Sequence, residues 1–121
     1  MLAVLFADET LLHCAQADES RKVLTHWGVP FAARGTRECA EICEQIPAGY
    51  IWSVCDTVDA ALHARKDGNL VVFIGRSEDF KAREHDLVLS SFDDLIAALS
   101  PHYTRTALRL RDVIASEFES L

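Results

Sequence analysis

Five short apolar runs recur along the chain, and stretches with the periodicity of amphipathic helices separate them. The first and fourth runs, LAVLFA and LVVFIG, are continuous, which is typical of strands buried on both faces of a parallel sheet. Strands that alternate with helices form right-handed parallel βαβ units. The pattern therefore predicts a three-layer, Rossmann-like α/β fold with a mostly parallel five-stranded sheet. The predicted strands are Leu2–Ala7, Val29–Ala33, Tyr50–Cys55, Leu70–Gly75 and Asp86–Ser90.

Helical periodicity fills the segments between these strands. Gly28 is a suitable C-terminal stop for the first helix, and Thr57 is a capping residue for the third. Pro101 is expected to begin a second segment after the short fourth helix. The final amphipathic helix either packs on the sheet or associates with a partner or a second copy of the chain. The predicted helices cover residues 11–27, 36–46, 57–66, 92–99 and 104–121.

Length, charge and cysteine content narrow the class of protein. The 121 residues are the size of one domain, and residues 1–121 contain no repeat or linker that would divide them. A net charge of -7 argues against nucleic acid or an anionic membrane as the partner. The cysteines form no disulfide framework, and the first residues lack the basic region of a signal peptide, so we expect a cytoplasmic protein.

Polar side chains follow the predicted strands, at the edge of the sheet where open α/β folds bind their ligands. Asp, Thr and Ser are also the preferred helix N-caps, so a capping role is the alternative for each of them. The side chains with potential chemistry are Asp8, Glu9 and Thr10 after the first strand, Thr36 after the second, Asp56 after the third, and Arg76, Ser77, Glu78 and Asp79 after the fourth.

Acids at the ends of the first and fourth strands suggest a metal site. Mg²⁺ prefers carboxylate oxygens together with water and a substrate phosphate. A carboxylate beside such an ion can act as a nucleophile toward a phosphoryl group. The pattern predicts a Mg²⁺ site formed by Asp8, Glu78 and Asp79.

With these motifs, residues 2–99 resemble the haloacid dehalogenase-like phosphatase superfamily. In VLFADETLLH, the resemblance implies that Asp8 is the catalytic nucleophile and Thr10 the second position of the family's first motif. It implies that Thr36 binds the phosphate and that Lys66 or Arg65 neutralises it. The implied function is a small phosphatase or phosphotransferase that acts on a small phosphorylated substrate.

The segment VVFIGRSED resembles the fourth motif of the same family. There Glu78 and Asp79 would hold the metal, while Gly75 and Ser77 would approach the phosphate. Arg76 stands where the family normally carries an Asp, and a cation at that position would repel Mg²⁺ or replace it at the substrate. A relative that has lost catalysis is therefore the alternative within this family.

The same order of elements also resembles the receiver domains of two-component signalling. In that family, acids such as Asp8 and Glu9 follow the first strand and a phosphoacceptor such as Asp56 follows the third. No Lys stands near Ser90, where the family places one. The implied function is a non-catalytic regulatory or protein-interaction module, and a homodimeric scaffold is a third alternative. Strand order separates the two families, because phosphatases have the order 5-4-1-2-3 and receivers the order 2-1-3-4-5.

Cys39 and Cys43 lie one helical turn apart and could share a metal ion. Cysteine is among the most buried residue types, however, and no zinc-type spacing is present. We therefore expect both side chains, and that of Cys55, to pack in the core.

Overall fold

A five-stranded sheet forms the middle layer of the fold in a computed structural model that describes residues 2–104. Its strands are β1 (Ala3–Phe6), β2 (Phe31–Ala33), β3 (Ile51–Cys55), β4 (Leu70–Ile74) and β5 (Leu87–Leu89). The order across the sheet is β2-β1-β3-β4-β5, and every neighbouring pair is parallel. The predicted fold class is confirmed. The predicted C-terminal helix, 104–121, lies outside the described residues apart from its first position.

The helices are α1 (Glu9–His13), α2 (Asp18–Trp27), α3 (Arg37–Gln45), α4 (Val58–Lys66) and α5 (95–104). The prediction of one continuous helix over 11–27 was wrong, because Cys14 is extended and a short 3₁₀ turn follows it. Arg21 of α2 donates hydrogen bonds to the backbone carbonyls of Leu12 and Cys14. These carbonyls at the C-terminal end of α1 therefore have a hydrogen-bond donor. Gly28 ends α2 in the left-handed conformation, as predicted.

Pro101 lies inside α5, although the sequence predicted a new segment there. A proline in a helix forgoes one backbone hydrogen bond, so tertiary contacts must favour continuing the helix. Leu95 and Leu99 are fully buried on one side of α5. Tyr103 then stacks on Trp27 of α2, with ring centroids 4.5 Å apart. The contact between Tyr103 and α2 therefore favours continuing the helix through Pro101.

The two faces of the sheet are packed differently. On one face, side chains from α1, α2 and α5 join Val4, Phe6 and Val54 in a single core cluster. On the other face, α3 packs on β1 and β2, whereas α4 packs on β3 and β4 in a separate cluster. Side chains alternate between faces along β3, so Ile51, Ser53 and Cys55 all point to this face. Ile51 belongs to the first cluster and Cys55 to the second, and Ser53 lies between them. The core beneath α3 and α4 is therefore divided at Ser53.

A buried ion pair fastens the long connection between β4 and β5. Arg65 of α4 binds the carboxylate of Asp86, and their side chains are only 15% and 8% exposed. The Asp86 carboxylate also accepts a hydrogen bond of 2.8 Å from the Arg83 backbone N–H. The Arg65 guanidinium lies over the Phe80 ring, 4.9 Å from its centroid. This contact holds the loop against α4 in place of a crossover helix.

We expect Asp86→Ala to lower the free energy of unfolding by about 3–5 kcal/mol, because it leaves the buried Arg65 charge unpaired. Urea denaturation measures this change. Glu84→Ala is the matched control, since Glu84 is an exposed acid in the same loop and should change stability by less than about 0.5 kcal/mol. Equal effects of the two substitutions would contradict a structural role for the ion pair.

Candidate functional site

Two of the predicted site residues at the carboxyl edge of the sheet act as helix caps. The Asp8 carboxylate accepts a 2.7 Å hydrogen bond from the Leu11 backbone N–H at the start of α1. The Thr36 hydroxyl accepts from the Cys39 backbone N–H at 3.2 Å and donates to the Ala33 carbonyl at 2.7 Å. Thr10 is exposed within α1. The capping role that the sequence offered as an alternative is therefore present for Asp8 and Thr36.

The described residues do not bring the predicted Mg²⁺ ligands together. Strand β3 lies between β1 and β4, so Asp8 is two strands away from Glu78 and Asp79, a separation of roughly 10 Å in the sheet. Asp79 instead pairs with Arg76, with N–O distances of 3.1 and 3.3 Å. Within residues 2–104, no group of three His, Cys, Asp or Glu side chains could hold a metal ion.

The remaining predicted phosphate contacts are also dispersed. The Gly75 backbone N–H donates a 2.8 Å hydrogen bond to the Leu89 carbonyl, which extends the pairing of β4 with β5. A Cβ at Gly75 would meet the Phe73 ring at 3.0 Å, so the glycine is explained by packing. Ser77 is exposed in the 3₁₀ turn after β4. Lys66 ends α4 just before β4 begins, which places it at the amino edge of the sheet, opposite Asp8 and Thr36.

A cavity of about 740 Å³ opens between α3 and α4, where the core is divided. Leu5 and Ile51 supply an apolar floor from β1 and β3, and Ile46 closes one side. The sequence did not predict this cavity. Its polar lining residues are Arg34, His63, Asp67 and Asn69.

Polar side chains meet at the fully buried hydroxyl of Ser53, and we call Arg34, Ser53, Asp67 and Asn69 the Arg34 cluster. Asn69 Nδ2 donates to Ser53 Oγ at 3.0 Å, and Arg34 Nη1 lies 3.4 Å from the same oxygen. The other terminal nitrogen of Arg34 binds the Asp67 carboxylate. Arg34 thus extends from the end of β2 across the sheet to a residue that follows α4.

The charged members of this cluster differ in exposure. The Arg34 side chain is 17% exposed, whereas the Asp67 side chain is 46% exposed. His63 lies one helical turn before Asp67, with Nε2 4.0 Å from its carboxylate. The arginine is therefore held inside the cavity, while its acidic partner lies at the mouth.

Cys39 and Cys43 lie on the α3 side of the cavity. The expectation that Cys43 packs in the core was wrong: its side chain is exposed, because Ile42 and Ile46 make the core contacts of α3. Partial burial of the sulfur raises the pKa of Cys43, and the neighbouring Cys39 thiol raises it further. Cys55 is buried as predicted, and burial raises its pKa to about 11.

One signal in the sequence could have located this site. Ser53 interrupts the otherwise apolar run YIWSVC in a strand with neighbours on both sides. A hydroxyl buried in such a strand needs hydrogen-bond partners, so its position indicates that polar side chains reach the centre of the sheet. The sequence could not show that those partners would be Arg34 and Asn69.

No family model, curated protein or solved structure matches this chain. Within residues 2–104, no helix combines the length and apolar character needed to cross a lipid bilayer.

We expect Ser53→Ala to lower the free energy of unfolding by about 1–3 kcal/mol, because it removes the acceptor for Asn69 and Arg34. Urea denaturation is again the measurement. The matched control is Ser20→Ala, which removes another buried serine hydroxyl, in α2 and away from the cavity. If Ser53→Ala lowered the free energy of unfolding by no more than Ser20→Ala does, the Arg34 cluster would not contribute to stability.

Proposed function

We propose that this chain is a non-catalytic, receiver-like regulatory module that binds a small organic acid in the cavity between α3 and α4. The observation that carries the proposal is the Arg34 cluster, a set of convergent polar groups beside an apolar floor. Small-molecule sites typically combine an apolar concave surface with a few polar groups that orient the ligand. The volume of about 740 Å³ lies within the range of roughly 300–1,000 Å³ usual for such sites.

The charge distribution favours a ligand with an anionic end. Arg34 presents a guanidinium inside the cavity, and guanidinium groups bind carboxylates through paired hydrogen bonds. In the structure the Asp67 carboxylate binds the Arg34 guanidinium, and Asp67 is the more exposed of the two side chains. It can therefore move aside when a ligand carboxylate replaces it. The apolar body of the ligand would then pack against Leu5 and Ile51. A small aromatic or aliphatic monocarboxylate satisfies both requirements.

The strand order favours the receiver-like alternative over the phosphatase. Receivers have the order 2-1-3-4-5, which is the order in this sheet, whereas the phosphatase order would place β4 beside β1. In the observed order, Asp56 follows the strand next to β1, while Glu78 and Asp79 follow a more distant strand. The acids that a phosphatase requires at one metal are therefore separated by β3.

Titration of the ¹⁵N-labelled chain with phenylacetate tests binding. We expect NMR shift changes confined to amides around the cavity, including those of Arg34 and Asn69. Phenethylamine and benzyl alcohol, which have similar apolar bodies but no negative charge, should bind at least tenfold more weakly, a difference of about 1.4 kcal/mol.

Arg34→Met should weaken phenylacetate binding by at least tenfold, because it removes the cation and keeps an apolar side chain of similar length. The matched control is Arg37→Met, since Arg37 is 90% exposed at the start of α3 and should have no effect. Shift changes centred on Asp8 and Asp56 rather than on the cavity, or unchanged affinity in Arg34→Met, would contradict the proposed site.

The competing phosphatase function has its own assay. We expect no Mg²⁺-dependent hydrolysis of p-nitrophenyl phosphate above the level of Asp8→Asn, because Asp8 caps α1 and is separated from Glu78 and Asp79. Asparagine is an equally good N-cap, so this substitution tests the negative charge without disturbing the helix. Mg²⁺-dependent hydrolysis that Asp8→Asn abolishes would overturn the regulatory proposal in favour of the phosphatase.

A further inference from the structure

Two cysteine side chains lie next to each other on the wall of the cavity. Cys39 and Cys43 are four residues apart on α3, a spacing that brings Cβ atoms to about 5–6 Å on the same side of a helix. Both thiols are free, and both line the cavity. The chain therefore presents a preformed pair of sulfur donors.

Core packing does not account for this pair. The core contacts of α3 are made by Ile42 and Ile46, which are buried against β1, β2 and β3. Cys39 is only partly buried at the edge of that cluster, and Cys43 is exposed. An exposed cysteine beside a second thiol adds little packing energy, so its position calls for a different explanation.

We propose that Cys39 and Cys43 together bind a soft cation of low coordination number, of the Cu(I) class. Thiolate ligands select soft ions, and Cu(I) forms stable complexes with two sulfur donors. Zn²⁺ is less suitable, because protein sites for it normally supply three or four ligands. Residues 2–104 contain no third His, Cys, Asp or Glu that would complete such a set around these sulfurs.

Binding requires proton release but no redox step. One Cu(I) ion and two thiols give a bis-thiolate complex with a net charge of −1, and two protons pass to the buffer. Arg34 lines the same cavity and favours the anionic form of Cys43. Its positive charge would therefore stabilise the negatively charged complex. The Asp67 carboxylate disfavours the anionic form of Cys43. The complex would therefore lie beside the Arg34–Asp67 ion pair and not beside a lone cation.

Competition for Cu(I) against a chromophoric chelator tests the proposal, with the full chain kept reduced and free of oxygen. The wild-type chain is expected to withdraw one Cu(I) per chain. Cys39→Ser and Cys43→Ser should each bind at least tenfold more weakly, because each leaves one sulfur. Cys14→Ser is the matched control and should bind like wild type, since Cys14 is a partly exposed thiol outside this cavity.

Alkylation with iodoacetamide provides a second measurement on the unsubstituted chain. Cu(I) should protect Cys39 and Cys43, but not Cys14, as read by peptide mass spectrometry. Unchanged Cu(I) affinity in both cavity variants would overturn the proposal. So would a stoichiometry of one ion per two chains with dimerisation on size exclusion, since the ion would then bridge molecules. The organic-acid proposal is tested separately, because phenylacetate binding is read from amide shifts and not from Cu(I) stoichiometry.

Discussion

The buried hydroxyl of Ser53 is the constraint on which the organisation of the α3/α4 side depends. It lies at the centre of β3, where an apolar side chain would join the two neighbouring core clusters. A buried hydroxyl must instead be hydrogen-bonded, and on this face of the sheet Asn69 reaches it from the β4 side and Arg34 from the β2 side. This requirement draws an arginine into the interior and leaves space between α3 and α4.

The strand order determines which chemistry the carboxyl edge can support. With β3 between β1 and β4, the acids that follow β1 and β4 cannot share one small cation without a large rearrangement. Asp8 and Thr36 satisfy the first turns of their helices, and Asp79 is paired with Arg76. Within the cavity, by contrast, the partly buried Arg34 guanidinium, an apolar floor and two thiols lie together.

Local rules account for what the sequence predicted correctly. The five strands follow from their apolar runs. The end of α2 follows from Gly28, and the starts of α3 and α4 follow from Thr36 and Thr57, because each of these residues acts within a few positions. The break at Cys14 and the passage of α5 through Pro101 depend on distant partners, Arg21 and Trp27. The cavity was missed for the same reason, since Arg34 meets Ser53 and Asp67 only after the sheet has assembled.

A double-mutant cycle with Ser53→Ala and Asn69→Ala tests most directly whether this buried polar contact organises the face. The two side chains share a 3.0 Å hydrogen bond inside the protein. We expect the two losses in free energy of unfolding to be non-additive, with a coupling energy of about 1 kcal/mol. Additive losses, with a coupling energy near zero, would contradict it.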